Sequence, residues 1–257
     1  MAQETDPFSL HGKVALITGS SRGIGQAIAS DFANAGATVI VTAREQANAE
    51  LVANSIRNNG GTAHAYAYDA AKSGTGEQLI EKITNEIGQL DLLINNAAIL
   101  RPHVVAKLTE QEFDEIFTVN TKAAIFLCQY CLPLLEKSGH AAVVNITAAG
   151  AHRPMEGIGA YCASKAAMIN FTHTLAKEWA VKNIRVNALT PGSVATDMIL
   201  PTDPERRAKF EQEMAQQNLL RRLADPLEIA RATRFLASSA ASFVTGQTLI
   251  VDGGFLA

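Results

Sequence analysis

Residues 13–18 read Lys-Val-Ala-Leu-Ile-Thr, a short apolar run that ends in a cluster of glycines, and residues 24–35 then place apolar side chains at helical spacing until Gly36 stops them. Strand, turn and helix are the elements this predicts. The alternation continues, with strand patterns over 38–43, 63–68 and 90–94 and helical patterns over 46–57 and 77–87. Thr109-Glu110-Gln111-Glu112 has the form of a capping box and opens a long helix, which Pro133 should bend or end before a strand over 142–146. A further helix is predicted over about 160–181, strands over 184–189 and 247–251, and helices over 204–217 and 226–237, each of the last two with a proline near its start. About seven strands joined by helical connections of this length pair in parallel with right-handed crossovers, so the expected fold is a doubly wound α/β sheet covered on both faces. No internal repeat and no Pro/Ser-rich linker divides the pattern, and residues 1–257 read as one domain. Ligands of such sheets bind beyond the carboxyl ends of the strands, which is where chemistry is to be sought.

Composition narrows the classes. With 257 residues, 47% hydrophobic and 18% charged, the chain can bury a sizeable core, and it is neither disordered nor collagenous. A net charge of −3 provides no basic field to attract nucleic acid or anionic lipid. The first eight residues carry Glu4 and Asp6, no base and no apolar stretch, and nothing later approaches the ~18 consecutive apolar residues of a membrane span. The expected location is the cytoplasm. Of three cysteines, Cys128 and Cys131 form the one CxxC, with no second pair or HxxxH to complete a zinc set; both read as buried helix residues, and no metal site is expected.

The segment Thr18-Gly19-Ser20-Ser21-Arg22-Gly23-Ile24-Gly25 sets three glycines between the first strand and the first helix. Glycine there permits a tight turn and close approach of the backbone to a pyrophosphate, which the free N–H groups of a helix N-terminus stabilise. Together with Asn95-Asn96-Ala97-Ala98, Tyr161-Cys162-Ala163-Ser164-Lys165 and Pro191-Gly192, in this order and at predicted strand ends, the chain resembles the short-chain dehydrogenase/reductase family over nearly its whole length. The resemblance implies a Rossmann-type fold and NAD(P) chemistry. By it, Gly19, Ser21, Arg22, Gly23, Ile24 and Gly25 meet the cofactor, Asp69 meets the adenine, and Asn95 with Ala97 lies beside the adenosine ribose. Pro191, Gly192, Val194 and Thr196 are then expected around the nicotinamide carboxamide, while Ala98 stands where the family usually has glycine.

Charge after the second strand decides between the two dinucleotides, because an acid there accepts from a free 2′-OH and an arginine accommodates a 2′-phosphate. Here Val39-Ile40-Val41-Thr42 is followed by Ala43 and Arg44, with no carboxylate, and Arg22 is a second base within the glycine turn. Two guanidinium groups favour NADP(H).

Tyr161 and Lys165 lie four apart on one face of a predicted helix. A neighbouring ammonium favours the phenolate and should lower the ordinary tyrosine value near 10, so Tyr161 is expected to exchange the proton of a carbinol while hydride moves. By resemblance, Lys165 also holds the nicotinamide ribose and Asn120 supports a proton-relaying water. The family places a serine about thirteen residues before the tyrosine, as a donor to the substrate oxygen, and that position is Ala148. Thr147, next to it and three before Gly150, is expected to substitute as the donor, which needs one extra residue in the loop; with Ala148 in the serine's place the site would lack a donor, and strand neighbours point to opposite faces, so the two positions are not interchangeable.

Residues 197–223 follow the nicotinamide loop and are long and charged, as a substrate lid would be. Arg101, His103, His152, Arg153 and Glu156 follow the fourth and fifth strands, within reach of a polar substrate. Met168, Phe171 and Trp179 read as core or interface packing, and the apolar helices over 109–135 and 160–181 imply, by resemblance, a homotetramer, with a dimer next. The expected activity is NADP(H)-dependent interconversion of a carbonyl and a secondary alcohol. The alternatives are an NADP(H)-binding partner or redox sensor with little hydride transfer, and a non-redox enzyme on the same scaffold.

Overall fold

A computed structural model describes residues 6–257. Seven strands, β1 (Val14–Ile17), β2 (Thr38–Ala43), β3 (Thr62–Ala67), β4 (Leu92–Asn95), β5 (Ala141–Ile146), β6 (Ile184–Pro191) and β7 (Thr248–Val251), form one sheet in the order β3-β2-β1-β4-β5-β6-β7. Every neighbouring pair is parallel. The order reverses between β1 and β4, and this is the switch point at which such sheets open a crevice.

Strand periodicity divides the core in two. Ala15, Ile17, Leu92, Ile94, Ala142 and Val144 face one apolar cluster, shared with α1 (Gly23–Asn34), α2 (Gln46–Asn58) and α8 (Pro226–Ala237). Val14, Leu16, Leu93, Ala141 and Val143 face the other, under α3 (Thr75–Glu86), α5 (Ala123–Ser138) and α6 (Gly159–Trp179). Both faces are covered, so the strands read as continuous apolar runs.

The capping box is present: Glu112 N–H donates to Thr109 Oγ1 (3.2 Å), and Thr109 N–H donates to Glu112 Oε2 (3.0 Å), opening α4 (Glu110–Phe117). The expectation that Pro133 bends or ends the long helix needs correcting. The ladder is interrupted earlier, by a π-helical turn over Thr118–Lys122, and α5 then runs through Pro133 to Ser138, where Gly139 closes it with a φ of 73°. Cys128, Cys131 and Cys162 are buried and free, and burial pushes the Cys128 thiol up to about 12. Among the described residues, no group of three His, Cys, Asp or Glu could hold a metal ion, and no helix is long and apolar enough to cross a membrane.

Candidate active site

The glycine turn is built by hydrogen bonds to the neighbouring strand ends. Ser20 Oγ donates to Ile17 O (2.7 Å) and accepts from Thr42 N–H (2.9 Å), while Ser20 N–H donates to Thr42 O (3.0 Å). From the other side, Asn96 Nδ2 donates to Thr18 O and Gly19 O, both at 3.0 Å, and Thr18 Oγ1 accepts from the N–H groups of Asn96 and Ala97. A Cβ on Gly25 would collide with Gly19 O and Asn96 Nδ2, and one on Gly19, whose φ is 64°, would sit 2.9 Å from the Ala97 Cα. Only glycine fits this approach of three backbones. Ser20, Thr42 and Asn96, which build the turn, were not singled out by the sequence reading; their signal was their position within or beside the glycine and Asn-Asn motifs.

Ser21 and Ile24 are partly buried, and Arg22 is exposed at the N-cap of α1. Arg44 is exposed just beyond β2, and among the described residues neither arginine is paired with a carboxylate. The Ser20–Thr42 hydrogen bonds tie the loop carrying Arg22 to the strand end carrying Arg44.

Asp69 makes a turn, with Oδ1 accepting from Ala71 N–H (3.1 Å) and Oδ2 3.6 Å from Lys72 Nζ. The Asn95 side chain is turned inward, where Nδ2 donates to Asn145 Oδ1 (2.8 Å) and Cys128 Sγ (3.2 Å). Strand alternation explains this: Asn95 ends β4 on its buried face, and Asn96 takes the face of the glycine turn.

Gly192 N–H donates to Val251 O (3.1 Å), and a Cβ there would meet the Asp252 Cα at 2.7 Å. Val194 is buried and bridged to Ala224. Thr196 Cγ2 lies 3.3 Å from the place a Cβ on Gly23 would occupy, so the segment after β6 meets the glycine turn at the switch point. Pro191 is the last residue of β6.

On α6, Tyr161 and Lys165 are both buried, at 8% and 3% exposure. Lys165 Nζ donates to Ile146 O at the end of β5 (2.8 Å) and stands 6.0 Å from the Tyr161 ring centroid. The expected lowering of the phenol is not what these surroundings give. Burial, with the Cys162 thiol beside it, raises Tyr161 above its ordinary value, and burial pushes the Lys165 ammonium down to about 8. In both groups desolvation is the largest cause, and it disfavours the charged form of each.

Asn120 is buried in the π-helical turn, a distortion that often marks functional sites. Its Oδ1 accepts from Ile99 N–H (2.8 Å), and Nδ2 donates to Ile99 O and Ser164 Oγ, both at 3.0 Å. Ser164 Oγ in turn donates to Tyr161 O (2.7 Å), so the turn is locked onto the helix that carries the tyrosine.

Thr147 was expected to offer its hydroxyl to substrate, and the structure turns it away. The residue is 2% exposed, and Oγ1 donates to Leu189 O (3.1 Å) and contacts Thr190 Oγ1 (2.7 Å), so it faces β6. Ala148, on extended backbone, takes the other side. His152 Nε2 reaches Thr190 Oγ1 (3.0 Å). Arg101 pairs with Glu115 (3.0 Å), His103 Nε2 accepts from Ala160 N–H (3.3 Å) at the start of α6, and Arg153 lies 5.1 Å over the Phe255 ring. Glu156 is exposed. Within 197–223, α7 (Pro204–Gln217) buries none of its residues, and Leu220 N–H donates to Gly253 O (3.1 Å).

The family model described as enoyl-(acyl carrier protein) reductase matches residues 19–256. The chain is 38% identical over 258 residues to the short chain dehydrogenase/reductase astE of Aspergillus oryzae, covering 99% of this chain and 98% of that one. Among solved structures it resembles a 3-oxoacyl (acyl-carrier-protein) reductase of Agrobacterium tumefaciens with NADP bound, at 35% identity, TM-score 0.91 and coverage of 98% of this chain and 99% of that one. A gluconate 5-dehydrogenase of Burkholderia cenocepacia in complex with NADP and tartrate is 31% identical, with TM-score 0.91 and 98% of both chains covered. With a family model over residues 19–256 and a short chain dehydrogenase/reductase covered almost throughout, the chain belongs to the short-chain dehydrogenase/reductase family.

Proposed function

We propose that Tyr161 is the acid/base of a hydride-transfer site that Lys165 and Asn120 hold in place, within one domain over residues 1–257 whose substrate lid is 197–223. Family membership makes the chain an NADP(H)-dependent oxidoreductase that interconverts a carbonyl and a secondary alcohol. The observation that carries the residue assignment is the pair on α6: a buried phenol and a buried ammonium one turn apart, with the ammonium bound to the last carbonyl of β5, at the carboxyl edge of the sheet.

The crevice fits a dinucleotide. Gly19, Gly25 and Gly192 let the glycine turn and the neighbouring strand ends close on one another at the N-terminus of α1, and Arg22 and Arg44 offer two uncommitted guanidinium groups for a 2′-phosphate. Ser21, Gly23 and Ile24 would flank the pyrophosphate, Asp69 the adenine, Ala97 and the backbone of Asn95 the ribose, and Pro191, Val194 and Thr196 the carboxamide. When bound, the dinucleotide supplies or takes the hydride. In reduction, Tyr161 gives its proton to the forming alkoxide; in oxidation it takes the carbinol proton.

Two of the relatives are named as a 3-oxoacyl (acyl-carrier-protein) reductase and a gluconate 5-dehydrogenase, so a polar carbonyl compound or its alcohol is the class to test. A homotetramer is part of this reading, supported by the exposed Phe113 and Phe126 on α4 and α5, and light scattering measures it. A cytoplasmic location is also part of it, supported by three free thiols. The deciding experiment titrates the protein with NADPH and NADH and follows NADPH oxidation over aldehydes, ketones, keto-sugars and oxoacyl thioesters. Tighter binding of NADPH with turnover of a carbonyl is expected. Binding without turnover anywhere in the panel would return the chain to a partner or sensor role.

A further inference from the structure

The helix that carries Tyr161 does not cap itself. Ile158 stands at its N-terminal boundary with no side-chain oxygen to offer, and Cys162 N–H turns back to Ile158 O (3.0 Å). Ala160 N–H comes before that bond, on a buried residue, and a donor shut in there without an acceptor is costly. Its acceptor comes from another part of the chain: Ala160 N–H donates to His103 Nε2 (3.3 Å), on the loop after β4. The same loop holds Asn120. Ile99 N–H donates to Asn120 Oδ1 (2.8 Å), and Asn120 Nδ2 donates to Ile99 O (3.0 Å). Four residues on, His103 is bridged to Ile158, and its N–H donates to Gly157 O (2.6 Å). The stretch from Ile99 to His103 therefore ties the π-helical turn of Asn120 to the first turn of α6.

The partners of the ring leave one arrangement of its protons. A backbone N–H can only donate, so Nε2 presents its lone pair to Ala160; Nδ1 lies 2.8 Å from Arg101 O, which can only accept, so Nδ1 carries the proton. The other neutral tautomer and the imidazolium would each set an N–H against the Ala160 N–H. A lone pair at this place also suits the positive pole of the helix dipole. Resting on the hydride-transfer reading above, we infer that His103 is a positioning residue for the reaction: through Ala160 it caps α6 one residue before Tyr161, and so holds the phenol where the proton is exchanged. Its part is played through the helix, not by contact with the reacting atoms.

The test uses the full chain and the best carbonyl of the panel. His103→Phe keeps a flat ring and removes the acceptor, so kcat should fall about tenfold while KM and NADPH affinity stay within about twofold. His103→Gln, whose Oε1 can accept from Ala160 N–H, should return kcat to within about threefold of the parent. Nitrogen NMR of the histidine-labelled parent reads the tautomer with no substitution at all, and it decides the matter even where His103→Phe does not fold: Nε2 should give the signal of an unprotonated ring nitrogen and Nδ1 that of a protonated one. A parent ring protonated at Nε2, a His103→Phe enzyme with the parent's kcat, or Phe and Gln variants equally slow would each overturn the assignment while leaving the reductase intact. A chain that reduces no carbonyl at all would instead bring down the hydride-transfer reading and the positioning role with it.

Discussion

The cofactor side and the substrate side of the crevice are built in opposite ways. Around the glycine turn, Ser20, Thr42 and Asn96 fix three backbones at distances that exclude a Cβ. Within the proposed lid, α7 buries none of its residues, Leu219 and Leu220 are 66% and 64% exposed, and on the loop after β5 His152, Arg153 and Glu156 are exposed. One side is preorganised for a constant ligand; the other has little local stability and can be rearranged. The tyrosine helix α6 joins them, with Lys165 bound to the last carbonyl of β5.

The sharpest way to probe that junction is Tyr161→Phe, which removes the proton donor and little volume; kcat should fall about 10²–10⁴-fold with NADPH affinity kept, as steady-state kinetics and a binding titration will read. Lys165→Met should also cost about 10²-fold or more in kcat, yet melt no lower than the parent, because it removes a buried ammonium. The sign is fixed by its depressed value: the unfolded lysine, near 10.4, holds a proton that the folded one loses from about 8, so the burden is complete below pH 8 and is relieved as pH rises towards about 10.4. Denaturant melts of parent and variant across this window measure the difference.

Arg44→Ala should weaken NADPH about 10–100-fold and NADH by no more than about twofold, since only the former loses a charge-assisted bond. Gly25→Ala tests the rigidity of the cofactor side: the added methyl meets Gly19 O and Asn96, so stability should drop by about 1–3 kcal/mol and dinucleotide binding with it. The matching change opposite, Leu219→Ala with Leu220→Ala, should leave stability within about 0.5 kcal/mol and alter kcat/KM only a few-fold. A large loss of stability there would erase the contrast between the two sides.

Periodicity and glycines alone were enough for the alternating elements, the parallel sheet and the glycine turn, because each rests on local spacing and backbone geometry, while the family resemblance picked out Tyr161 and Lys165. The bounds of β2, α7 and α8 match the pattern residue for residue. Only the tertiary structure decided that the long helix is interrupted at Thr118–Lys122 and not at Pro133, a choice made by Asn120 reaching Ile99 and Ser164. It also decided that Asn95 faces the interior, that desolvation governs Tyr161 and Lys165, and that the Thr147 hydroxyl faces β6. Each of these depends on which groups from distant segments share a hydrogen bond or exclude water, and that is fixed by how the strands and helices come together, not by the spacing of residues along one of them.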